Sequence, residues 1–257
     1  MMTPLSRRAL ITASASLGGL ALSGCDRLSQ SASFRTFIGS AEHLTFASQR
    51  ALLAGQPLAR EFPASQLSPV FKSNGTSMPG GDAYKTLLDG GFAGYRLAVE
   101  GLVLRPMTFS LADLKAMAVK SQITRHDCVE GWSCIGGWTG VQLSRVLDLV
   151  GVGPRARYVV FRCADDLGGS MNLPGQYYES IDLFDAFHPQ TILAYALNGK
   201  PLDPPHGAPL RLRVERQLGY KHAKYVMRIQ LVDRFDTIAG GKGGYWEDRG
   251  YEWYAGI

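Results

Sequence analysis

The chain has 257 residues, 46% of them hydrophobic and 19% charged, and 27 Lys and Arg against 22 Asp and Glu leave a net charge of +5. That length is ample for one domain with its own core. The basic excess is mild and no long basic run carries it, so nucleic acid is not an expected partner.

Residues 1–25 read as a targeting segment. Arg7 and Arg8 form a short positive start without an acidic neighbour, and an apolar run from Ala9 to Leu22 follows, broken by Ser, Thr and Gly. The run is too short and too weak for a membrane span, so a signal peptide is expected. Ser6-Arg7-Arg8-Ala9-Leu10 fits a twin-arginine export signal, although an ordinary secretory start also carries arginine. Leu22-Ser23-Gly24-Cys25 resembles a bacterial lipobox, in which Cys25 is lipidated and becomes the new amino terminus. Asp26 then follows the lipid, a position that favours retention at the inner membrane. No later segment is apolar enough to span a bilayer, so a soluble body is expected, with a net charge that falls from +5 to +3 once Arg7 and Arg8 are removed.

Residues 26–70 are polar and rich in Ala, Ser and Gln, and predict a tether with a short helix around Ala41–Leu53. Phe71 to Gly81 is rich in Ser, Asn, Gly and Pro and predicts an irregular loop. Tyr95 to Val103 reads as a strand. Ser110-Leu111-Ala112-Asp113 resembles a capping box that starts a helix through Met117. The next helix spans Gln142 to Val150, with Leu143, Val146, Leu147 and Val150 on one face and Gly151 as its stop. Tyr158 to Arg162 is β-branched and aromatic, hence a strand; Thr191 to Leu197 is apolar and ends at an Asn198-Gly199 turn. Leu210, Leu212 and Val214 alternate with Arg211, Arg213 and Glu215, a period-two strand with its charges on one face. Val226 to Val232 alternates likewise, and the Gly240–Gly244 cluster followed by aromatics predicts an ordered tail. Strands, loops and a few helices mix without a repeat or a regular βαβ alternation, which makes the fold class α+β, one domain over residues 71–257.

Chemistry concentrates in Thr124 to Trp138, where Cys128 stands among His126, Asp127, Glu130, Trp132 and Trp138. A thiol in such company can be a nucleophile, a redox thiol or a metal ligand, and a thiolate suits soft or thiophilic metals. If the segment is extended, His126, Cys128 and Glu130 share a side, with the two tryptophans as walls against water. Taken alone, such a cysteine is most simply a buried structural one. Of the four cysteines, lipidation would remove Cys25 and leave Cys128, Cys134 and Cys163, an odd number in an oxidising compartment. No CxxC or HExxH pattern supports zinc. A second cluster runs from Pro205-His206-Gly207 through Arg211 to Gly219-Tyr220-Lys221-His222-Ala223-Lys224, where glycines permit close approach and Arg and Lys suit a phosphate.

Together these segments resemble the sulfite oxidase family of molybdopterin enzymes over roughly Phe71 to Ile257. The resemblance rests on SNGTSMP near Asn74, GLVLRPMTFSLADL at 101–114, HDCVEGWS at 126–133, HGAPLRL at 206–212, GYKHAKYV at 219–226 and GGYWEDRGYEWYAGI at 243–257. The closest flavour is that of the periplasmic methionine-sulfoxide reductase catalytic subunits. The resemblance implies a sulfite-oxidase-type molybdopterin-binding fold of mixed sheets and short helices, with Mo-molybdopterin as cofactor and Cys128 as the protein ligand of the molybdenum. It also implies that Asn74, Cys163, His206, Arg211, Gly219, Tyr220 and Lys221 hold the pterin and its phosphate. Glu130 matches a carboxylate near the metal, with His126 assisting in proton handling. His206 departs from an expected asparagine, and Cys163 from a hydroxyl residue.

Sulfoxide reduction is the implied reaction. Sulfite oxidation is the alternative, lowered by the different surroundings of Cys128 and by the missing dimerisation domain of the animal and plant oxidases. An electron-transfer protein without a substrate of its own is the third reading. Electrons would pass through a membrane haem partner of the cytochrome b type. The cofactor is inserted before export, which fits a twin-arginine route to the periplasmic face of the inner membrane. Cys134 and Cys163 are expected not both to stay free after export, and to pair where geometry permits.

Overall fold

The computed structural model describes residues 30–169 and 173–257. The leader, with Arg7, Arg8 and Cys25, lies outside the described residues. The chain forms two compact units, the first ending at Gly55 and the second spanning Gln56–Ile257. In the first, helix α1 covers Ala32–Leu52, starting earlier than the expected Ala41 because Ser31 caps it and accepts from the Phe34 N–H. Among the described residues no helix is long and apolar enough to cross a membrane.

The second unit carries two five-stranded sheets. One contains β1 (Arg96–Gly101), β2 (Met107–Ser110), β5 (Tyr158–Asp166), β6 (Gln176–Asp182) and β10 (Val226–Val232), in the order β2-β1-β10-β5-β6. Only the β1–β10 pair is parallel. The other contains β3 (Val119–Cys128), β4 (Trp132–Gln142), β7 (Ile192–Leu197), β8 (Lys200–Pro201) and β9 (Arg211–Arg213), the last paired with β7. Short helices α2 (Asp82–Asp89), α3 (Leu111–Ala116), α4 (Leu143–Val150) and α5 (Leu183–Ala186) connect them. This is the α+β architecture of mixed sheets and short helices that the sequence predicts.

Local chemistry explains the elements. The Ser110 hydroxyl accepts from the Asp113 N–H at 3.1 Å and the Asp113 carboxylate accepts from the Ser110 N–H at 2.8 Å, a reciprocal cap at the start of α3. Helix α4 buries Leu143, Val146, Leu147 and Val150, the predicted face, against a core that includes Leu97, Val99, Phe161, Ile229 and Leu231. Each such side chain contributes roughly 1.5–3 kcal/mol by leaving water. Residues 56–70 are part of the body rather than a tether: Phe62 N–H donates to Ile123 C=O at 2.9 Å and Ser68 N–H to Ile135 C=O at 3.0 Å, both on the β3–β4 hairpin.

That hairpin has a polar buried face. Gln122, Thr124, His126 and Cys128 alternate inward along β3. Gly140 lets β4 approach β7, since a Cβ there would stand 2.2 Å from the Leu193 carbonyl oxygen. The charged face expected at 211–215 is buried as well. Arg211, Arg213 and Glu215 are all but fully enclosed, and the Arg213 guanidinium forks onto Glu215 at 3.0 and 2.6 Å.

Candidate active site

A cleft of about 140 Å³ opens where five parts of the second unit meet. The loop Asn74-Gly75-Thr76 forms one wall and the hairpin turn Cys128-Val129-Glu130 another. Asp165 and Tyr177 come from neighbouring strands β5 and β6, and Gly219, Tyr220, His222 and Lys224 from the segment before β10. Trp246 and Tyr251 of the tail close it, stacked on each other with ring centres 5.2 Å apart. The tail is therefore ordered, as its aromatics predict.

Cys128 ends β3 and is 7% exposed at the cleft. Burial pushes its thiol up from the ordinary range, with the charge of Glu130 adding to the effect and a Glu130 backbone hydrogen bond opposing it. Cys128 and His126 share the inner face of the strand. Glu130 does not, because the chain turns at Gly131 rather than staying extended. Its carboxylate is exposed at the mouth and accepts from Trp132 Nε1 at 2.9 Å.

His126 sits behind the cleft wall. Its Nδ1 takes a proton donor, Arg213, at 2.8 Å, so the ring hydrogen is on Nε2. Burial, then Arg213, Arg211 and Lys224, hold the ring well below its ordinary range, and it stays neutral. That removes His126 as a proton acceptor and makes it a fixed donor. Gly219 lies directly over it: a Cβ on Gly219 would be 2.6 Å from His126 Nε2.

The basic segment divides differently from the sequence expectation. Lys221 is turned away from the cleft and fully buried, its Nζ 2.5 Å from both Glu179 Oε1 and Glu247 Oε1. Burial works against its charge, and the two carboxylates overcome this and hold it above the ordinary lysine range. It is a structural cation rather than a free phosphate ligand. Lys224, three residues on, lines the cleft instead. Its Nζ donates to the carbonyls of Asn74 at 2.7 Å, Pro205 at 2.9 Å and Thr76. Burial, with Arg211 adding, pulls it down to about 7. Tyr220 lines the cleft while its hydroxyl donates to Glu252 C=O at 2.6 Å.

Three other expected cofactor residues do not line the cleft. Cys163 is enclosed in the main core, on the strand of Asp165 but two residues earlier. His206 pins the entry of the 71–76 loop, with Nε2 2.9 Å from Phe71 C=O and Nδ1 2.5 Å from Asp203. Arg211 is buried behind the wall, donating to His206 C=O at 3.0 Å and lying 4.9 Å over the Trp138 ring. Burial, then Arg213, pull its guanidinium down to about 9. Trp138 is held between Arg211 and Arg213 and walls no part of the cleft. Cys134 and Cys163 are both free, in separate hydrophobic clusters, which corrects the expected pairing.

Sequence reasoning missed Asp165, Tyr177, His222, Lys224, Trp246 and Tyr251. Both lysines stand in the same GYKHAK segment, but Gly219–Lys221 is a 3₁₀ turn and both side chains are buried, so no alternation in the sequence separates them.

The unmatched polar atoms around the cleft describe what it takes. Among the described residues, His126 Nε2, Arg211 Nε, Thr76 Oγ1 and Asp165 Oδ1 are buried without a hydrogen-bond partner. Thr76 and Asp165 line the cleft, where a ligand with both donors and acceptors would complete them, whereas His126 and Arg211 lie behind its wall. A phosphorylated pterin has both kinds of group, so the residues fit it. No group of three or more His, Cys, Asp or Glu among the described residues is placed to hold a metal ion.

Comparison with known proteins agrees. The family model for the oxidoreductase molybdopterin binding domain matches residues 87–237. A protein of Azospira oryzae, provisionally named a protein-methionine-sulfoxide reductase subunit, YedZ1, is 37% identical over 98% of this chain and 88% of its own length. The protein-methionine-sulfoxide reductase catalytic subunit MsrP of Xanthomonas campestris pv. campestris is 37% identical over 56% of this chain, which spans 47% of that relative's length. The crystal structure of the sulfane dehydrogenase SoxCD from Paracoccus pantotrophus is similar with a TM-score of 0.49 and 26% identity, over 55% of this chain and 39% of that one.

Proposed function

The chain belongs to the oxidoreductase molybdopterin binding domain family, of sulfite oxidase type, and we propose that this molybdopterin-dependent enzyme reduces a sulfoxide. The reaction breaks the sulfur–oxygen bond, takes two electrons from an external carrier and two protons from the medium, and releases a thioether and water. The cofactor, when bound, supplies two-electron oxygen-atom chemistry at molybdenum; the protein binds, orients and handles protons.

The observation that carries the sulfoxide reading is the charge of the cleft. Its described lining has two carboxyls, Glu130 and Asp165, one lysine already engaged by three carbonyls, and no arginine. Sulfite is anionic at neutral pH and would face both carboxyls without a free cation. A sulfoxide is neutral, and Val129, Trp246 and Tyr251 offer its alkyl groups an apolar wall. The names of the relatives point the same way.

In this reading Cys128 is the metal ligand, Gly219 and the Asn74–Thr76 loop bring backbone close to the cofactor and offer its phosphate backbone N–H groups, and Lys224, with Arg211 behind the wall, lends that end of the cleft a positive field without touching the phosphate. Glu130, at the mouth and oriented by Trp132, passes protons between solvent and the cleft. Electrons arrive from a membrane haem protein of the cytochrome b type. Arg7-Arg8 and Cys25 support twin-arginine export and lipid anchoring at the periplasmic face of the inner membrane.

The test is a paired assay of the loaded enzyme: reduced viologen with methionine sulfoxide, and sulfite with cytochrome c. Turnover of the sulfoxide is expected. Turnover of sulfite alone would overturn the proposal, and silence on sulfoxides, N-oxides and sulfite would favour an electron carrier.

A further inference from the structure

We propose that helix α1 lies flat on the phospholipid bilayer, with Phe37, Leu44 and Leu52 set into the lipid surface. The inference rests on the membrane placement proposed above and not on the choice of substrate.

One side of α1 is apolar. Phe34, Phe37, Ala41, Leu44, Ser48 and Leu52 follow one another at steps of three or four residues, the spacing that puts them on one face. Phe37 is 71% exposed, Leu44 68% and Leu52 83%. Three large apolar side chains so open on one stripe call for a surface that covers them. The opposite side carries His43 and Arg50, and there the Phe46 ring lies under the Arg50 guanidinium, 5.1 Å from its centre.

A second copy of the helix is the poorer cover. In a paired-helix seam Ala41, Ser48 and Ala51 would alternate with Phe37 and Leu44 at the central positions, and small or polar side chains there give a partner helix little to grip. A bilayer needs no matching knobs. Phe and Leu enter it singly, and the small residues between them let the backbone settle at headgroup level. The helix is not apolar enough to cross the bilayer. Its two arginines against one glutamate suit anionic headgroups.

Its place in the chain points the same way. Cys25, the expected lipid attachment, precedes Ala32 by seven residues, and a chain of that length reaches at most about 25 Å. A lipid on Cys25 therefore keeps α1 within reach of the headgroups, and an acyl anchor with an amphipathic helix makes two membrane signals instead of one. At about 1.5 Å per residue the 21 residues of α1 span about 32 Å. Lying flat, the helix keeps Leu52 at the surface, where an upright helix would carry it that far off.

The experiment uses the mature chain from Asp26, loaded with cofactor in the cytoplasm and never exported, so that no lipid is attached. Wild type, a Phe37→Asp, Leu44→Asp double variant and a Phe37→Leu, Leu44→Phe double variant are mixed with phosphatidylethanolamine–phosphatidylglycerol vesicles at millimolar lipid. The fraction that sediments with the vesicles, the melting temperature and the mass in solution are measured. Wild type should sediment with the vesicles. The aspartate variant should partition about tenfold more weakly or worse, having lost two large apolar side chains from the lipid, at an unchanged melting temperature. The exchanged variant should bind as wild type does. Wild type that stays in the supernatant, or an aspartate variant that binds equally well, would overturn the proposal. A lower melting temperature of the aspartate variant would overturn it by showing that the face packs within the protein. A vesicle-free dimer broken by the aspartates would overturn it in favour of a second copy. Neither the lipid on Cys25 nor any substrate enters the readout, so failure here leaves anchoring and sulfoxide reduction standing, and their failure leaves this result standing.

Discussion

Lys221→Met should unfold the cofactor-free protein well before the wild type. Lys221 Nζ stands 2.5 Å from an oxygen of Glu179 and 2.5 Å from one of Glu247, and all three side chains are at most 1% exposed. Methionine fills the same space but leaves two carboxyls facing each other out of water. Removing one partner of a buried ion pair costs about 3–5 kcal/mol, because the remaining charge is stranded. For a domain of this size each kcal/mol moves the midpoint by roughly 2–4 °C, so the melting temperature should fall by roughly 6–20 °C. The loss should extend to the cleft, since Glu247 anchors the tail that carries Trp246 and Tyr251. The assay is thermal denaturation of protein from a cofactor-deficient host, followed by circular dichroism. If Lys221 were a phosphate ligand, that protein would melt unchanged and only cofactor content would suffer; this result would refute the triad.

Three further predictions follow from the same geometry. Burial and the neighbouring Glu247 hold the Glu179 carboxyl well above its ordinary range, so its contribution to stability is present at acid pH and lost as pH rises through the raised value; Glu179→Gln should flatten that decline in denaturation series across pH, and an unchanged slope would count against it. Gly219→Ala places a methyl 2.6 Å from His126 Nε2, on a ring fixed by Arg213, and should cost roughly 1–3 kcal/mol in urea melts together with pterin content. Denatured, non-reduced, cofactor-free Cys25→Ser protein should show three reactive thiols, from Cys128, Cys134 and Cys163, whereas a single thiol would mean that the last two are bridged.

The elements that read correctly from sequence are those whose apolar side chains do the burying. Helix α4 shows its face in the spacing of Leu143, Val146, Leu147 and Val150, and α3 shows its start in Ser110 and Asp113. The β3–β4 hairpin hides because its inner face is polar. The Gln122 amide N–H group donates to Gln190 C=O at 2.9 Å and to Glu215 at 2.8 Å, and His126 Nδ1 accepts from Arg213, partners far away in the chain. The same burial makes Arg211 and Arg213 look like a solvated face when they are core. At the site, residue type alone left Cys128 as most simply a structural cysteine, and only the family resemblance singled it out; the structure puts it on the cleft. The opposite walls were not legible: Asp165, Tyr177 and Trp246 reach the cleft only through the β5–β6 pairing and the folded tail. Lys221 and Lys224 have the same side chain on one short segment, and only the position of Glu179 and Glu247 decides which is structural.

The most direct test of a cysteine-ligated molybdenum centre is the molybdenum and pterin content of the purified holoprotein beside Cys128→Ser. Near-stoichiometric metal and pterin in the wild type, with metal lost or spectroscopically altered in a variant whose cofactor-free form melts normally, is the predicted result. An identical metal signal in Cys128→Ser, or no metal and no pterin in wild type from a competent host, would contradict the account.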